Sequence, residues 1–465
     1  MESNNKNMEH FRFIISYLIV LVTCSCAALP VRGPANKEEF ERLRFISYSE
    51  FARAATTSPV SDDLPEKPVL SDYLAYAALH NPGLEAAFNR WKAALEKIPQ
   101  ATSLPDPRFS YAYFIQEVET RVGPQRQKLA LSQTFPWFGK LSLRGDIAFQ
   151  ASEMERQKYE AAKLKLFYRV KSAYAEYYYL AKAISITREN LSLMKYLESV
   201  ARNNYSAGLT SYSDVVKAQV EISKLEDRIE TLRELRGPIM AKLNAAMNRP
   251  ERAPLPWPES LPFRNISISE KQLFSWLKNK NPALKAKEFE ISREQAAVNL
   301  AKKSYFPDIT LGVEWIDTDE ALKSGTKDSG KDPVIAMVSV NIPIWHGKYR
   351  AEKREAEARY RAAQKEHQNI ENNLVSEAKM VLYRIEDSQR KIGLYRDTLI
   401  PQTKEALDVS LQSFKAGEAT FLDIIDAQRT LLEFQLSMER ALADLATRIA
   451  QLEMIVGKEI PGRED

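Results

Sequence analysis

Two cysteines, four histidines and 15 glycines in 465 residues are the scarcities that shape this sequence. Both cysteines, Cys24 and Cys26, fall near the start, so no disulfide framework staples the remainder. The histidines (His10, His80, His346, His367) are scattered, without HExxH or paired-cysteine spacing, which argues against a metal site and leaves no residue set for a cofactor. With so little glycine and no long apolar run after the N-terminus, long helices are favoured over compact α/β units. There is no one-signed charge either: 66 Lys plus Arg face 62 Asp plus Glu, and no basic cluster is interleaved with aromatics. Nucleic acid is therefore not an expected partner. A phosphate-binding Walker loop is also missing, so any energy must come from elsewhere. No catalytic constellation stands out, and the chain is not read as an enzyme.

What is present begins with an export signal over 1–27. Lys6 and Arg12 precede the apolar stretch Phe13 to Leu29, which is short for a spanning helix and lacks a charged stop. Small residues before each cysteine allow lipidation of Cys24 or Cys26, whichever becomes the new N-terminus; the other reading is an ordinary cut near Ala27. Thr23 suits neither site well, being bulky just before Cys24 and polar where Cys26 would want Leu. An N-terminal extended segment, 28–70, is expected to follow.

Aligned with itself, the chain is duplicated over 71–250 and 269–457, with a linker at 251–268 and a tail at 458–465. NPGLEAAF (from Asn81) answers to NPALKAKE (from Asn281), LPDPRFSY (from Leu104) to FPDITLGV (from Phe306), and FPWFGK (from Phe135) to IPIWHGK (from Ile342). YSAGLTSYSDVVKAQ (from Tyr205) answers to FKAGEATFLDIIDAQ (from Phe414). Same order and similar spacing make chance a poor explanation.

Each half carries two segments of period-two alternation, such as Phe109, Tyr111, Tyr113 and Ile115, or Ile309, Leu311, Val313 and Trp315. Their length of roughly ten residues is that of a tilted membrane strand. A soluble four-stranded sheet remains the competing interpretation. In lipid, four strands cannot close a barrel and an open edge is not tolerated, so the chain must oligomerise. Three copies would supply about twelve strands, although the number three is not fixed by this argument. Phe135, Trp137, Phe138, Trp345 and Tyr349 are then expected as anchors at the lipid-water interface. Pro136 and Pro343 end strand pairing, and Gly139 and Gly347 let the backbone turn into a helix.

From about Leu141 to Ala207, and again from about Tyr349 to Ala416, the pattern is helical, and roughly sixty residues at 1.5 Å each make about 90 Å. Leu374, Ala378, Val381, Ile385, Ser388, Ile392, Tyr395 and Leu399 form a narrow four-three stripe of coiled-coil type. Pro401 should interrupt or kink that helix. Turns at Gly208 and Gly417 lead into return helices that begin near Asp214 and Asp423.

The region from about Ser71 to Gly457 resembles the TolC-like outer-membrane efflux proteins, on the strength of the paired NPxL, FPWFGK/IPIWHGK and FKAGEATFLDIIDAQRTLLE segments. The resemblance implies a mostly α fold with a small β part: a long coiled-coil helical barrel in the periplasm and four membrane strands per chain. It implies a homotrimer with a twelve-stranded outer-membrane β-barrel. The function implied is a passive duct that exports small molecules or metal ions, working with a periplasmic adaptor and an inner-membrane pump. The FPWFGK form looks closest to members serving heavy-metal-type resistance-nodulation-division pumps. The dispersed methionines offer no metal relay and so no support for copper or silver as cargo.

In the family, a pair of aspartates matching Asp423 and Asp426 narrows the periplasmic entrance, and Asp214 matches a helix-linking position. Six carboxylates around one axis would favour cations; alternatively Asp423 simply caps its helix. Phe414 and Ala419 stand where a tyrosine and an arginine make closing contacts in the family's best-known member, so the closed state would be held differently here. The tips, Gly208, Leu209, Thr210, Gly417, Glu418 and Ala419, are expected to be exposed and to dock the adaptor. The rival reading is a periplasmic coiled-coil adaptor or scaffold whose four strands form a small soluble domain. A hydrolase built on Asp423 and Asp426 is more distant, since these lie one turn apart on a charged coiled coil without a visible pocket.

Overall fold

The computed structural model describes residues 37–54, 63–261, 266, 268–416 and 418–461. The expected leader, with Cys24 and Cys26, and the tip residue Gly417 lie outside the described residues. The elements run α1 (Lys37–Phe45), α2 (Tyr48–Ala54), α3 (Leu70–His80), α4 (Pro82–Leu95), α5 (Lys97–Thr102), β1 (Arg108–Thr120), β2 (Gly123–Phe135), α6 (Lys140–Ser206), α7 (Tyr212–Glu234) and α8 (Arg236–Ala246). They continue with α9 (Glu270–Lys280), α10 (Pro282–Lys303), β3 (Ile309–Thr318), β4 (Val334–Val340), α11 (His346–Leu394), a π-helical turn (Tyr395–Leu399), α12 (Ile400–Lys415) and α13 (Phe421–Val456). The protein is mostly helical with one small antiparallel sheet.

The chain divides into two units, the first comprising the described part of Met1–Phe45 with Trp91–Glu155 and Lys287–His367. It holds the sheet, ordered β1-β2-β3-β4 with every neighbour antiparallel. Residues paired across antiparallel strands share a face. Tyr111, Leu129, Trp315 and Val334 therefore lie on one face, joined there by Phe109, Leu131, Val313 and Ala336. The opposite face is mixed: it carries Ser110, Ala130, Glu314 and Ile335, with Ala112, Lys128 and Ile316 alongside. Lys128 pairs with Glu314 at 2.6 Å and Thr134 with Thr310 at 2.9 Å on that side. The apolar face has no cover: Phe109 is 67 % exposed and Val338 72 %. The last strand is shorter than expected and stops at Val340, because the Asn341 side chain turns back to accept the Asp308 N–H.

The second unit comprises Ile46–Arg90, Arg156–Ala286 and the described part of Gln368–Asp465. Its helices share two apolar cores, one from α6, α7, α12 and α13 around Met194, Val215, Leu407 and Ile424, the other from α9, α11 and α13 around Leu273, Val381 and Leu452. The stripe expected on α11 is buried at Ala378, Val381, Ile385, Ser388 and Ile392. Its phase then changes. After Tyr395 the next buried position is Ile400, not Leu399, because the π turn spends one extra residue. Pro401 supplies the cause: it has no N–H for the Asp397 carbonyl, and the wide turn keeps its ring off the preceding helix.

Three other expectations are corrected. The segment 28–70 is not wholly extended, since α1 and α2 lie in it; Phe51 on α2 packs its ring 5.1 Å from Phe88 and 5.6 Å from Tyr159. The first return helix is two helices that part at Leu235. Pro238 cannot donate to the Glu234 carbonyl there, while Arg236 lies 4.4 Å over the Trp257 ring and donates to the Leu255 carbonyl at 3.2 Å. Gly347 does not act as a turn residue, for it lies inside α11 without a positive φ, whereas Gly139 has φ +82° before α6.

The two NPxL motifs make matching bonds. Asn81 accepts the Leu84 N–H at 3.0 Å and donates to the Ala246 carbonyl at 2.9 Å. Asn281 accepts the Leu284 N–H at 2.9 Å and donates to the Ile455 carbonyl at 2.6 Å. Each asparagine thus caps one helix and satisfies a carbonyl at the end of another. Asn281 is buried, so Asn281→Ala leaves unpaired groups and is expected to cost about 2 kcal/mol. A denaturant titration of the variant checks this; an unchanged midpoint would mean the two bonds contribute nothing net.

Candidate functional site in the helix turns and aromatic corners

The two turns of the helical unit are built on one frame. In the first, Gly208 takes φ +73° and the Leu209 N–H reaches back to the Asn204 carbonyl at 2.9 Å. At the second, the Glu418 N–H reaches the Ser413 carbonyl at 2.8 Å. A ring pair clamps each turn: Tyr205 on Tyr212 at 5.3 Å, and Phe414 on Phe421 at 5.5 Å. The tyrosines are exposed, but Phe414 and Phe421 are buried, which places Phe414 in the core of its turn. Leu209 and Glu418 are exposed as expected of docking residues; Thr210 and Ala419 are half-buried instead. Both half-buried residues lie just before their helix cap, where the chain folds back over the turn.

The three aspartates have different surroundings. Asp423 completes a capping box, its carboxylate accepting from the Thr420 N–H at 2.9 Å and hydroxyl at 2.7 Å, while the Thr420 hydroxyl accepts the Asp423 N–H. Those bonds from Thr420, side chain first and then backbone, hold the Asp423 carboxyl below its ordinary range. Asp426 is exposed and only loosely paired, 3.6 Å from Arg429. Asp214 pairs with Lys217 at 3.2 Å, and Lys217 stands in the first half where Asp426 stands in the second. The carboxylate pair is therefore confined to one of the two turns.

Sequence reasoning missed the polar contacts behind these turns. Arg429 holds Glu221 through two hydrogen bonds of 3.0 and 2.5 Å. Buried Gln428 donates to Asn190 at 3.0 Å, and Asn190 donates to Gln435 at 3.2 Å. The available signal was the interruption of an apolar stripe on α13 by Gln428. Among the described residues no cluster of His, Cys, Asp or Glu could hold a metal ion, and no helix is long and apolar enough to cross a membrane.

In the sheet unit, the corner after β2 is locked to the start of β3. Lys140 is buried and donates to Asp308 and to the Phe306 carbonyl, both at 2.8 Å. The Trp137 N–H donates to the same carboxylate at 2.8 Å, and its ring stacks on Phe306 at 5.5 Å. Burial pushes the Asp308 carboxyl up, but the Lys140 and Trp137 bonds outweigh it and hold it below its ordinary range. Of the expected interface anchors, Phe138 and Trp345 are exposed, whereas Phe135, Trp137 and Tyr349 are half-buried, Tyr349 against Tyr305.

A model of the outer membrane efflux protein family matches residues 74–249 and again 273–458. Among characterised relatives, nodulation protein T of Rhizobium leguminosarum bv. trifolii is 24% identical over 421 residues, 84% of this chain and 85% of that one. The cobalt-zinc-cadmium resistance protein CzcC of Cupriavidus metallidurans is 21% identical over 400 residues, covering 83% and 89%. The solved outer membrane protein VceC of Vibrio cholerae superposes with a TM-score of 0.69 at 19% identity, over 84% of this chain and 96% of that one.

The Glu221 carboxyl is lowered from 4.5 to about 2, chiefly by its Arg429 bonds, working against burial and aided by Lys224. A depressed folded-state value means stability fully present above about pH 4.5 and lost as the pH falls toward 2. Glu221→Gln is expected to flatten that part of the acid-unfolding profile; a profile identical to the parent's would contradict the assignment.

Proposed function

We propose a role that proceeds from one premise: the chain belongs to the outer membrane efflux protein family, whose model matches both of its halves. It is an outer-membrane channel component of a tripartite efflux system, with a large helical part for the periplasm. Conduction is passive, with the energy supplied by the partners. The double family match carries this reading. The paired bonds of Asn81 and Asn281 support two internal repeats.

The finer assembly is a homotrimer. A linear four-stranded sheet with two free edges and an uncovered apolar face fits closure by further copies, and three give about twelve strands, an even number like those of known single-chain barrels. The exposed aromatics Phe138 and Trp345 suit the lipid-water interface. A soluble scaffold would have to leave that apolar face in water. An adaptor docks at the turns, through Leu209 and Glu418 rather than the half-buried Thr210 and Ala419. The pump is of the resistance-nodulation-division type. The relatives' names point to different roles, nodulation and cobalt-zinc-cadmium resistance, so the family sets the duct and not the substrate.

Asp426 is the stronger candidate for a selective ring at the entrance, because its carboxylate is exposed and loosely paired while that of Asp423 is engaged in a cap. In planar-bilayer recordings the parent is expected to show cation-selective openings. Asp426→Asn should reduce the cation preference more than Asp423→Asn. Selectivity unaltered by Asp426→Asn would remove that residue from the conduction path.

A further inference from the structure

The lock between the β2 corner and the start of β3 has a second set of parts that is not assembled within the chain. Trp345-His346-Gly347-Lys348 repeats Trp137-Phe138-Gly139-Lys140. In both, the Lys N–H donates to the Trp carbonyl at 3.0 Å. On the other side, Leu104-Pro105-Asp106 repeats Phe306-Pro307-Asp308. Yet Trp345 is 72 % exposed, and Lys348 and Asp106 are exposed as well. Lys348 and Asp106 have no ion pair among the described residues. Lys140, the counterpart of Lys348, is 6 % exposed. A motif satisfied once and left open once is not explained by the fold of a single copy.

The position of the open parts identifies what completes them. Asp308 immediately precedes β3 and Lys140 follows the end of β2, its neighbour in the sheet. Asp106 lies just before β1 and Lys348 beyond the end of β4, the two strands whose outer edges are unpaired. A second copy of this chain that set its β1 beside β4 would bring a lysine, a tryptophan and an aspartate to one corner as at the internal one, with Ile344 added between Pro343 and Trp345 where Pro136 and Trp137 are adjacent.

We propose that Lys348 and Trp345 of one copy lock onto Asp106 and Leu104 of the next, and that this contact fixes the register of the seam between β4 and β1. Lys348 donates to the neighbouring carboxylate, the Trp345 N–H shares it, and the Trp345 ring covers Leu104. The proposal rests on the oligomeric barrel put forward above. The strand register is carried over from the proline corners, because Ile344 sets Trp345 and Lys348 one residue further from their strand than Trp137 and Lys140 are from theirs. In the internal pair Leu131 faces Val313 and Phe135 faces Ile309. Matching Asp308 to Asp106, and Phe135-Pro136 to Ile342-Pro343, carries this over to Val338 facing Tyr111, Val340 facing Phe109 and Ser339 facing Ser110. Apolar residues meet apolar on one face of the seam, and Ser339 meets Ser110 on the other. A slip of one residue would set Val338 against Ser110 and break both faces.

The test uses full-length protein in detergent, with light scattering for the mass of the oligomer and gel analysis for the temperature at which it dissociates. Lys348→Asp and Asp106→Lys are each expected to shift that temperature downward, and the double variant, with the charges exchanged, to recover most of the loss. An oligomer whose dissociation is unaffected by either single change, or a double variant showing the sum of both losses, overturns the lock while leaving the oligomeric channel standing. A parent protein that is monomeric by light scattering overturns the channel assembly and this contact with it.

Discussion

The structure depends on the problem posed by a sheet with one uncovered apolar face and two edges that are unpaired among the described residues. In water the uncovered face is unfavourable by about 25 cal/mol for each Å² left exposed. Lipid solves the face and worsens the edges, because unpaired backbone groups there have no water to bond. Only closure in the plane of the sheet meets both demands. The residues fit such closure: Tyr111, Leu129, Trp315 and Val334 line one face, while Ser110, Ala130, Glu314 and Ile335 make the other a mixed one. Lys140 and Asp308 tie strand ends to the helical chain, at a corner where the backbone must leave the sheet.

The helical unit meets a different demand, which is to hold long helices in register with few residues per turn to spare for packing. Its cores are narrow stripes, so single polar residues within them have large effects on alignment. Gln428, Asn190 and Gln435 bond one another across α6 and α13 and leave little tolerance for sliding. The NPxL asparagines fix the ends, each bonding a carbonyl near the C-terminus of a return helix. At Gly457, φ is +84° and an added Cβ would approach the Lys280 carbonyl oxygen at 2.4 Å, so only glycine lets the chain pass there.

Features with a repeating or compositional signature are legible in the sequence. The long helices, the four strands and the interruption at Pro401 follow from periodicity and from the missing N–H of proline. The membrane reading followed from alternation joined to an expected export signal, and the family from four paired motifs in order. What escaped was set by geometry between distant segments. The shift of the buried stripe from Leu399 to Ile400 needs the π turn, and nothing local distinguishes a π turn from a kink. The break at Leu235 reflects Arg236 turning to Trp257 as much as Pro238 itself. Gly347 and Gly139 occupy matching places in sequence, yet only Gly139 needs a left-handed backbone. Asp423 was readable both as a cap and as an entrance charge; the bonds from Thr420, three residues earlier, show the cap.

The most direct test of the account is the orientation of the sheet toward lipid. A fluorophore placed at Tyr111→Cys and, separately, at Ala112→Cys in membrane-reconstituted protein would be exposed to a quencher confined to the lipid acyl chains. These neighbours point to opposite faces of β1. The account predicts strong quenching at 111 and little at 112. Equal quenching at both positions, or none at either in inserted protein, would contradict a lipid-facing apolar surface and the channel built on it.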